Sequence, residues 1–359
     1  MKRMLRQIRN VWNGISCRFA LCMAFLLASG GCINEDLSVC ERINISYRVQ
    51  IVTTINTTIH SELTSTISEQ RLGELLQEEF DQIFRDYAQD LDMLFYLKNG
   101  QLHTHDATMM NATNRTYELT IPNDNYDHVA TANVGVEPDM TLSDDKDPAT
   151  FSISQKKDDV IESHSTGIYS ARKEIRKDLR DAEIEHHVNL YLVNSAVAVV
   201  IDPQGNAVDD VDMWVQGMAT DFSVKDSVYS YNNPNQLTHG RRLKNDCGLL
   251  CNYVVCMPSF KDTTSTSTPA TPSPIRATRA EEIDADTEGG EVWHFRLLTK
   301  MSNGITTQNT FKVQHPLPPG FIGIFKLRLK PDGTYGDDTE SGVSVTLDWS
   351  EGSTYNPVI

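Results

Sequence analysis

Alternation of apolar and polar side chains at every second position recurs along most of the chain, and it constrains the fold more than any other feature of the sequence. Such alternation is typical of a β-strand with one buried face. No regularly spaced helical pattern separates the alternating segments, which favours antiparallel β-sandwiches over a parallel sheet. Six segments show the pattern: Ile43/Ile45/Tyr47/Val49/Ile51, Tyr117/Leu119/Ile121, Val188/Leu190/Leu192, Trp293/Phe295/Leu297, Phe325/Leu327/Leu329 and Val343/Val345/Leu347/Trp349.

One segment departs from this pattern and predicts an amphipathic helix over about residues 67–89. Thr66 and Glu69 form a capping-box signature in front of it. Its polar face has acids rather than the Lys and Arg of membrane-surface helices, so we expect its apolar stripe to pack on the first sheet. The stripe recurs at steps of three and four residues and consists of Leu72, Leu75, Leu76, Phe80, Ile83, Phe84, Tyr87 and Leu91.

The dipeptide Asn99-Gly100 predicts a hairpin turn. It follows the apolar residues 93–97 after a single lysine, Lys98. Glycine tolerates the positive φ that tight hairpin turns require, and Asn-Gly is among the strongest short-range hairpin signals. We therefore expect a pair of antiparallel strands on either side of residues 99–100.

The first 31 residues have the layout of a secretory signal peptide. They contain five basic residues and no acidic ones, then an apolar run over residues 19–27 and small residues up to Gly31. This order of basic, apolar and small residues is that of a cleaved export signal. The apolar run is too short for a transmembrane helix, which needs about 20 residues.

Cys32 directly follows Gly30-Gly31, and this junction resembles a bacterial lipobox. The resemblance implies acylation of Cys32, for example with palmitate, and a lipidated tether over residues 32–42. Glu35 and Asp36 resemble the signal that sends some lipoproteins to the outer face of the outer membrane. Several acyl chains hold a protein to a bilayer durably. The alternative is ordinary signal cleavage beside a cysteine.

The 359 residues fit about two domains. We expect an N-terminal β-sandwich domain over residues 43–183, which includes the helix, and a C-terminal β-sandwich domain over residues 184–359. Residues 262–291 are rich in Thr, Ser and Pro and end in acids. Such a composition buries too little apolar surface to order itself, so we predict a disordered insertion within the second domain.

Charge and motifs exclude several classes of function. The formal net charge is −17, with 49 acidic against 32 basic residues, whereas nucleic-acid binding calls for basic patches. The sequence has no Gly-x-Ser-x-Gly elbow, no His-Glu-x-x-His motif and no phosphate-binding loop. We therefore expect no enzyme activity and assign no catalytic, cofactor-binding or metal-binding residue.

The cysteines beyond Cys32 predict structural disulfides. An exported compartment permits bridges among Cys40, Cys247, Cys251 and Cys256, and four cysteines allow three connectivities. Zinc is disfavoured because the spacing has no Cys-x2-Cys pair.

Two histidine pairs also raise the question of a metal site. His103 and His105 would share one face of a strand. No third ligand is apparent near them or near His186-His187. The favoured interpretation is therefore a solvated strand end in each case.

Several motifs together resemble the FimB-type family of fimbrial anchor lipoproteins, which includes fimbrillin-associated anchoring and minor subunits. The most specific match is the segment from Cys32 through Asp36-Leu-Ser-x-Cys40. The others are Asp92-Met-Leu-Phe-Tyr-Leu-Lys-Asn-Gly100, Leu119-Thr-Ile-Pro-Asn-Asp-Asn-Tyr126 with Asn133, the strand Ala196–Ile201 with Trp214-Val-Gln-Gly217, and Val345-Thr-Leu-Asp-Trp349.

The resemblance implies two tandem transthyretin-like antiparallel β-sandwiches, tethered by Cys32, that anchor or cap a fimbria. It implies assembly by strand addition, in which a neighbour's extended segment completes a sheet. The implied partners are fimbrial subunits (pilins), the outer membrane through the lipid, and a host or bacterial surface ligand, with no nucleic acid. The helix and the insertion are larger than this family leads us to expect, which leaves base anchor and tip subunit open.

The competing hypothesis is a surface glycan-binding lipoprotein or a glycosidase accessory module. Its sandwiches would present aromatic residues for stacking on sugars. Trp214, Trp293 and Trp349 lie in strand patterns, where packing in the core explains them. The sequence therefore favours the fimbrial role.

Overall fold

A computed structural model describes most of the chain downstream of the predicted tether. The described residues are 42–51, 54–55, 63, 65–84, 88–110, 116–122, 124–143, 146–176, 183–259, 277–279, 293–313, 316–335 and 344–348. The predicted signal peptide, Cys32, Cys40 and Trp349 lie outside these residues.

The described residues form one helix and 23 strands, labelled in chain order. The helix is α1 (Ile67–Ile83). The strands are β1 (Arg42–Ile51), β2 (Thr54–Ile55), β3 (Asp90–Leu97), β4 (Leu102–Met109), β5 (Thr116–Pro122), β6 (Tyr126–Ala132), β7 (Met140–Leu142), β8 (Ser152–Gln155), β9 (Val160–Glu162), β10 (Tyr169–Ile175), β11 (Glu183–Leu192), β12 (Ser195–Asp202), β13 (Val208–Gln216), β14 (Asp221–Ser223), β15 (Val228–Ser230), β16 (Leu237–His239), β17 (Arg241–Arg242), β18 (Leu250–Cys256), β19 (Ala277–Arg279), β20 (Trp293–Met301), β21 (Thr306–Val313), β22 (Phe321–Arg328) and β23 (Ser344–Asp348).

Four sheets contain these strands. The first has seven strands in the order β4-β3-β6-β10-β11-β1-β5, and the second has six in the order β17-β18-β12-β22-β23-β2. The third has six in the order β19-β21-β20-β13-β16-β9, and the smallest has the order β15-β14-β8-β7. The mainly β fold is thus confirmed. Most pairs are antiparallel, but β1–β11, β12–β22 and β9–β16 are parallel, which the alternation alone did not indicate.

Each of the six alternating segments contributes to a strand, as predicted. β20 shows why the pattern predicts strands well, because Trp293, Phe295 and Leu297 are fully buried while the residues between them are only partly covered. The predicted hairpin is also present between β3 and β4. Gly100 has φ +84° and its N–H donates to the Leu97 carbonyl at 2.8 Å.

α1 begins where the capping box predicts and ends earlier than predicted. The Glu69 N–H donates to Thr66 Oγ1 at 3.1 Å, and the Ser65 N–H donates to the Glu69 carboxylate at 2.9 Å. At the other end Phe84 leaves the helical conformation with ψ 58° while its N–H still reaches the Phe80 carbonyl. Leu91, counted in the predicted stripe, is instead a buried residue of β3. The predicted end at residue 89 is therefore wrong.

α1 is packed by residues from both halves of the chain rather than by the first sheet alone. Its fully buried Phe80 meets the Tyr253 ring of β18 edge to face, with ring centroids 5.6 Å apart. The Tyr253 hydroxyl donates to Glu79, and the Lys326 ammonium of β22 lies 3.4 Å from the Glu69 carboxylate. One hydrophobic core therefore joins α1 to two sheets, the seven-stranded sheet that begins with β4 and the six-stranded sheet that begins with β17.

All four sheets combine strands from both sides of the predicted domain boundary at residues 183/184. In the seven-stranded sheet, β11 lies beyond the boundary except for Glu183 and pairs with β1 and β10. β8 pairs with β14, β9 with β16, and β2 with β23. The boundary itself falls at the start of β11. Within the predicted disordered insertion, Ala277–Arg279 form β19 against β21. The two-domain division and the transthyretin-like topology stay predictions.

A buried loop between β9 and β10 is held by side chains from both halves. Asn194 accepts a hydrogen bond from the Ile168 N–H and donates to the Thr166 carbonyl. The His164 N–H donates to the Val255 carbonyl at 2.9 Å, and its ring Nδ1 lies 3.3 Å from the Asn194 amide nitrogen. His164 is fully buried, and burial lowers the pKa of its ring.

The first prediction concerns the shared core. Phe80→Ala removes a fully buried ring and should lower the free energy of unfolding by about 4 kcal/mol. Urea denaturation followed by fluorescence measures this. Ile67→Ala is the matched control, because Ile67 begins the same helix and is 86% exposed, and its effect should stay under about 0.5 kcal/mol. Equal effects of the two substitutions would contradict the packing of α1.

The second prediction concerns pH. The pKa of folded His164 lies below its unfolded value of about 6.5, so the unfolded state binds more protons as pH falls below that value. The contribution of neutral, buried His164 to the free energy of unfolding is therefore complete above pH 6.5. It is lost as the pH falls, by at most about 1.4 kcal/mol per pH unit. In His164→Gln the free energy of unfolding should therefore vary less between pH 7.5 and pH 5.5 than in the native chain. An unchanged slope in equilibrium unfolding would disprove this.

Candidate functional site

The edge formed by β4 is the first candidate for contact with another protein chain. β4 has eight residues and ends its seven-stranded sheet, so among the described residues only β3 pairs with it. An unpaired edge presents backbone N–H and C=O groups to an incoming strand. Because the Met110 N–H bonds the Gln89 carbonyl, the antiparallel alternation directs the N–H groups of His105, Ala107 and Met109 away from β3.

The outer part of β4 has few of the features that block pairing. A register shift lies at the hairpin end, where Phe95 opposes Thr104 but Tyr96 opposes Leu102. From Thr104 to Met109 the register is regular and contains no proline or lysine, the residues that commonly protect edges. Met109 is 71% exposed and adds an apolar side chain to this edge.

The other described sheet edges are less suited to accept a strand. β2 and β17 have two residues each, and β7, β9, β15 and β19 have three each. Very short edge strands are one way in which proteins prevent pairing. β5 is longer but ends at Pro122, which lacks a donor N–H. β4 is therefore the longest described edge, and its outer part is regular.

The second candidate is the outer face of the sheet that contains β13 and β20. Register places the side chains of this face in rows across the strands, opposite the buried face of Val211, Met213 and Val215. We call the central two rows the Trp214 face. One row is Thr310, Arg296, Trp214, His239 and Glu162, and the next is Lys312, His294, Gln216, Leu237 and Val160.

Direct contacts hold the centre of the Trp214 face in one arrangement. The Trp214 and His239 rings are stacked, with centroids 5.3 Å apart and an angle of 26°. The Gln216 side-chain oxygen lies 2.7 Å from His294 Nε2 and accepts from Arg296 Nη2 at 2.8 Å. The Gln216 amide donates in turn to Asn235 at 3.1 Å. These contacts fix the positions of the side chains around the indole.

Two cations, Arg296 and Lys312, act on His294 in this part of the Trp214 face. The pKa of His294 is lowered to about 4, first by burial and then by the neighbouring charges of Arg296 and Lys312. His294 is therefore neutral at pH 7. Arg296 Nε is buried and has no hydrogen-bond partner among the described residues.

The cysteines predicted to form disulfides are not bridged to one another in the described residues. Cys247 and Cys251 border the same core, but Cys247, Cys251 and Cys256 form no disulfide among themselves. Cys251 and Cys256 are five residues apart on β18 and face different cores, so they cannot bridge each other. A bridge to Cys40, like the lipidation of Cys32, stays a prediction because both residues lie outside the described part.

The histidine pairs lie at separate places in the first sheet. His103 and His105 share the exposed face of β4, and His105 Nε2 lies 2.9 Å from the Asp92 carboxylate. His186 and His187 lie in β11, opposite Tyr47 and Arg48 of β1. No group of three or more potential metal ligands was found among the described residues. Nor does the described helix have the length and apolar character to cross a membrane.

The tryptophans differ from the sequence expectation. Trp293 is fully buried, as predicted, but Trp214 is partly exposed on the Trp214 face, so its assignment to the core is wrong. The alternation of residues along β13 does indicate this exposure. Trp214 shares its face with the polar residues Asp212 and Gln216, whereas the apolar residues of the strand occupy the other face. Arg296 and His294 were not identified from sequence because only pairing of β13 with β20 brings them close.

Comparison with known proteins identifies one family. The model of the family described as fimbrillin-A associated anchor proteins Mfa1 and Mfa2 matches residues 39–351. No curated protein matches the chain.

Solved structures also match along most of the chain. The fimbrial anchor protein Mfa2 from Porphyromonas gingivalis is 11% identical with a TM-score of 0.45, and the match covers 86% of this chain and 100% of that one. An adhesin candidate from Bacteroides ovatus is 12% identical with a TM-score of 0.46, covering 90% and 99%. A fimbrial assembly protein from Parabacteroides distasonis is 10% identical with a TM-score of 0.37, covering 82% and 93%.

The third prediction concerns thiol reactivity. Burial raises the pKa of Cys251 to about 12 and also raises the pKa of Cys256, and the thiolate is the form that reacts. Iodoacetamide at pH 8 should therefore modify Cys247, which is only partly buried, before Cys251 and Cys256 unless Cys247 is bridged. Peptide mapping without reduction measures all three. Modification of Cys251 or Cys256 in the native protein before unfolding would contradict their burial.

Proposed function

The chain belongs to the family of fimbrillin-A associated anchor proteins, and from this premise we propose that it is a surface lipoprotein that anchors or caps a fimbria and joins it by strand addition. Family membership by itself establishes the fimbria-associated role. The lipid, the strand addition and the position in the fimbria belong to the proposal. Its partners are fimbrial subunits and, through the lipid, the outer membrane.

Attachment to the membrane follows from the N-terminal sequence. Cys32 comes directly after the predicted signal peptide, and a lipid on its sulfur and amine would insert into the outer membrane. Removal of the five basic residues of the predicted signal peptide would change the net charge from −17 to −22, and this charge would repel the protein from anionic lipid. The acyl chains, rather than the protein surface, would therefore supply the membrane affinity.

The observation that supports strand addition most directly is the regular unpaired edge of β4 from Thr104 to Met109. An incoming extended segment would form main-chain hydrogen bonds with this edge, and its alternate side chains would meet the exposed Met109. Such pairing requires no catalytic residue, which agrees with a family of anchor proteins.

The fourth prediction tests the tether. Cys32→Ala removes the acylated sulfur and should release the protein, with its fimbriae, from cells into the medium. Immunoblots of cell and medium fractions measure the release. Cys247→Ala is the control, because it also removes a thiol but lies far downstream of the tether. Unchanged retention of the Cys32→Ala protein would defeat the lipid anchor.

The fifth prediction tests the edge of β4. Ala107→Pro removes one outward N–H at an exposed position, and proline is tolerated at a strand edge whose N–H faces solvent. Cell-bound fimbriae, measured with antibody to the fimbrial shaft, should fall at least about tenfold, since one lost main-chain bond and a steric block act together. Ala107→Thr keeps the N–H and should retain them.

Thermal unfolding must be alike in the two variants for this comparison. If Ala107→Pro folds normally and retains its fimbriae, β4 is not the edge that accepts a strand. That outcome would leave the lipid tether unaffected.

A further inference from the structure

Arg296 has an unusual position for a basic residue in this sheet. Among the described residues it forms no ion pair, and its bonded neighbour is the neutral amide of Gln216. Lys300, on the same face of β20, does have acidic partners, because its ammonium lies 3.6 Å from Asp210 and 3.9 Å from Asp212. A guanidinium without a carboxylate partner is notable in a chain with 49 acidic and 32 basic residues.

A second basic residue lies near Arg296 on the Trp214 face. Lys312 is opposite His294 in the next row, and both cations lower the pKa of His294. Within the two rows of the Trp214 face, the acid Glu162 lies on the far side of Trp214 from Arg296 and is 3.2 Å from His239. Asp212 is one row away, and its charge is shared with Lys300 at 3.9 Å. The face therefore has a basic side at Arg296 and an acidic side at Glu162, with the indole between them.

Trp214 supplies a partly exposed aromatic surface between these two sides. Its ring is held by the stack on His239, and Leu298 lies one row away on the neighbouring strand. Indole rings combine an apolar face with a polar N–H and are well suited to amphipathic ligands. Gln216, Asp212 and His239 add hydrogen-bonding groups around it.

We propose that the Trp214 face binds a sugar that bears a carboxylate, such as a uronic or sialic acid unit of a surface glycan. The sugar ring packs on Trp214, and the carboxylate receives the terminal Nη N–H groups of Arg296 that Gln216 does not use. Arginine is the side chain best matched to a carboxylate. Charge complementarity selects an acidic sugar over a neutral one. The inference does not rest on the fimbrial role, since the face lies in a different sheet from β4.

Titration calorimetry with two pairs of probes tests the proposal on the full mature chain. One pair is the hyaluronan tetrasaccharide against chitotetraose, and the other is sialyllactose against lactose. Within at least one pair, the acidic probe should bind at least about tenfold more tightly than its neutral counterpart, and higher salt should weaken that binding. Failure of both acidic probes to bind, or equal binding of acidic and neutral probes, overturns the proposal.

Variants locate the binding. Arg296→Gln should weaken the acidic probe at least about tenfold, and Arg296→Lys, which keeps the charge, should weaken it less. Trp214→Ala should weaken it similarly, whereas Trp214→Phe should retain part of the affinity. Lys330→Gln is the matched control, because Lys330 is an exposed basic residue after the end of β22 and outside the Trp214 face. This variant should bind the acidic probe normally.

Unfolding curves show which of these variants fold. Binding of the acidic probe that is unaffected in a folded Arg296→Gln protein would exclude the Trp214 face as the site. Loss of fimbriae in Ala107→Pro has no bearing on this result, and the failure of either proposal is therefore distinguishable from the failure of the other.

Discussion

Burial of α1 by strands from both halves of the chain is the interaction on which the rest of the structure depends. Phe80 packs against Tyr253 of β18, and the same core includes residues of β3, β12 and β22. Because residues distant in sequence bury each other, the seven-stranded sheet and the six-stranded sheet that contains β18 are stabilised together. β4 borders β3, whose side chains are buried in cores on both faces of the sheet. The Trp214 face is the reverse of a sheet face that is buried in a further core.

Local patterns in the sequence were sufficient to predict the elements but not their partners. Alternation identified β1 and β20, and the Thr66–Glu69 box fixed the start of α1, because these signals depend on near neighbours. The end of α1 was misplaced since Leu91 fits both a helical stripe and a strand. Parallel pairing of β12 with β22 joins residues more than 100 positions apart, and no local pattern specifies such a partner.

The candidate sites were accessible from sequence to different degrees. The hairpin that produces β4 was predicted from Asn99-Gly100, but an edge is defined by the strand that is missing beside it. Trp214 was assigned to the core by its strand pattern, although Asp212 and Gln216 in the same phase marked a solvent face. Arg296 could not be added to that face without knowing that β20 pairs with β13. A site whose residues come from several strands can be predicted only when the pairing register of those strands is known.

The register shift beside Thr104 has a mechanical consequence. It limits the regular part of the β4 edge to the stretch up to Met109, a span of roughly 20 Å. If a fimbrial strand pairs with this edge as proposed, tension parallel to β4 would load the hydrogen bonds of the pair together. Tension perpendicular to β4 would load them one after another. The direction in which a shaft leaves the cell would then decide whether the joint resists force or peels apart.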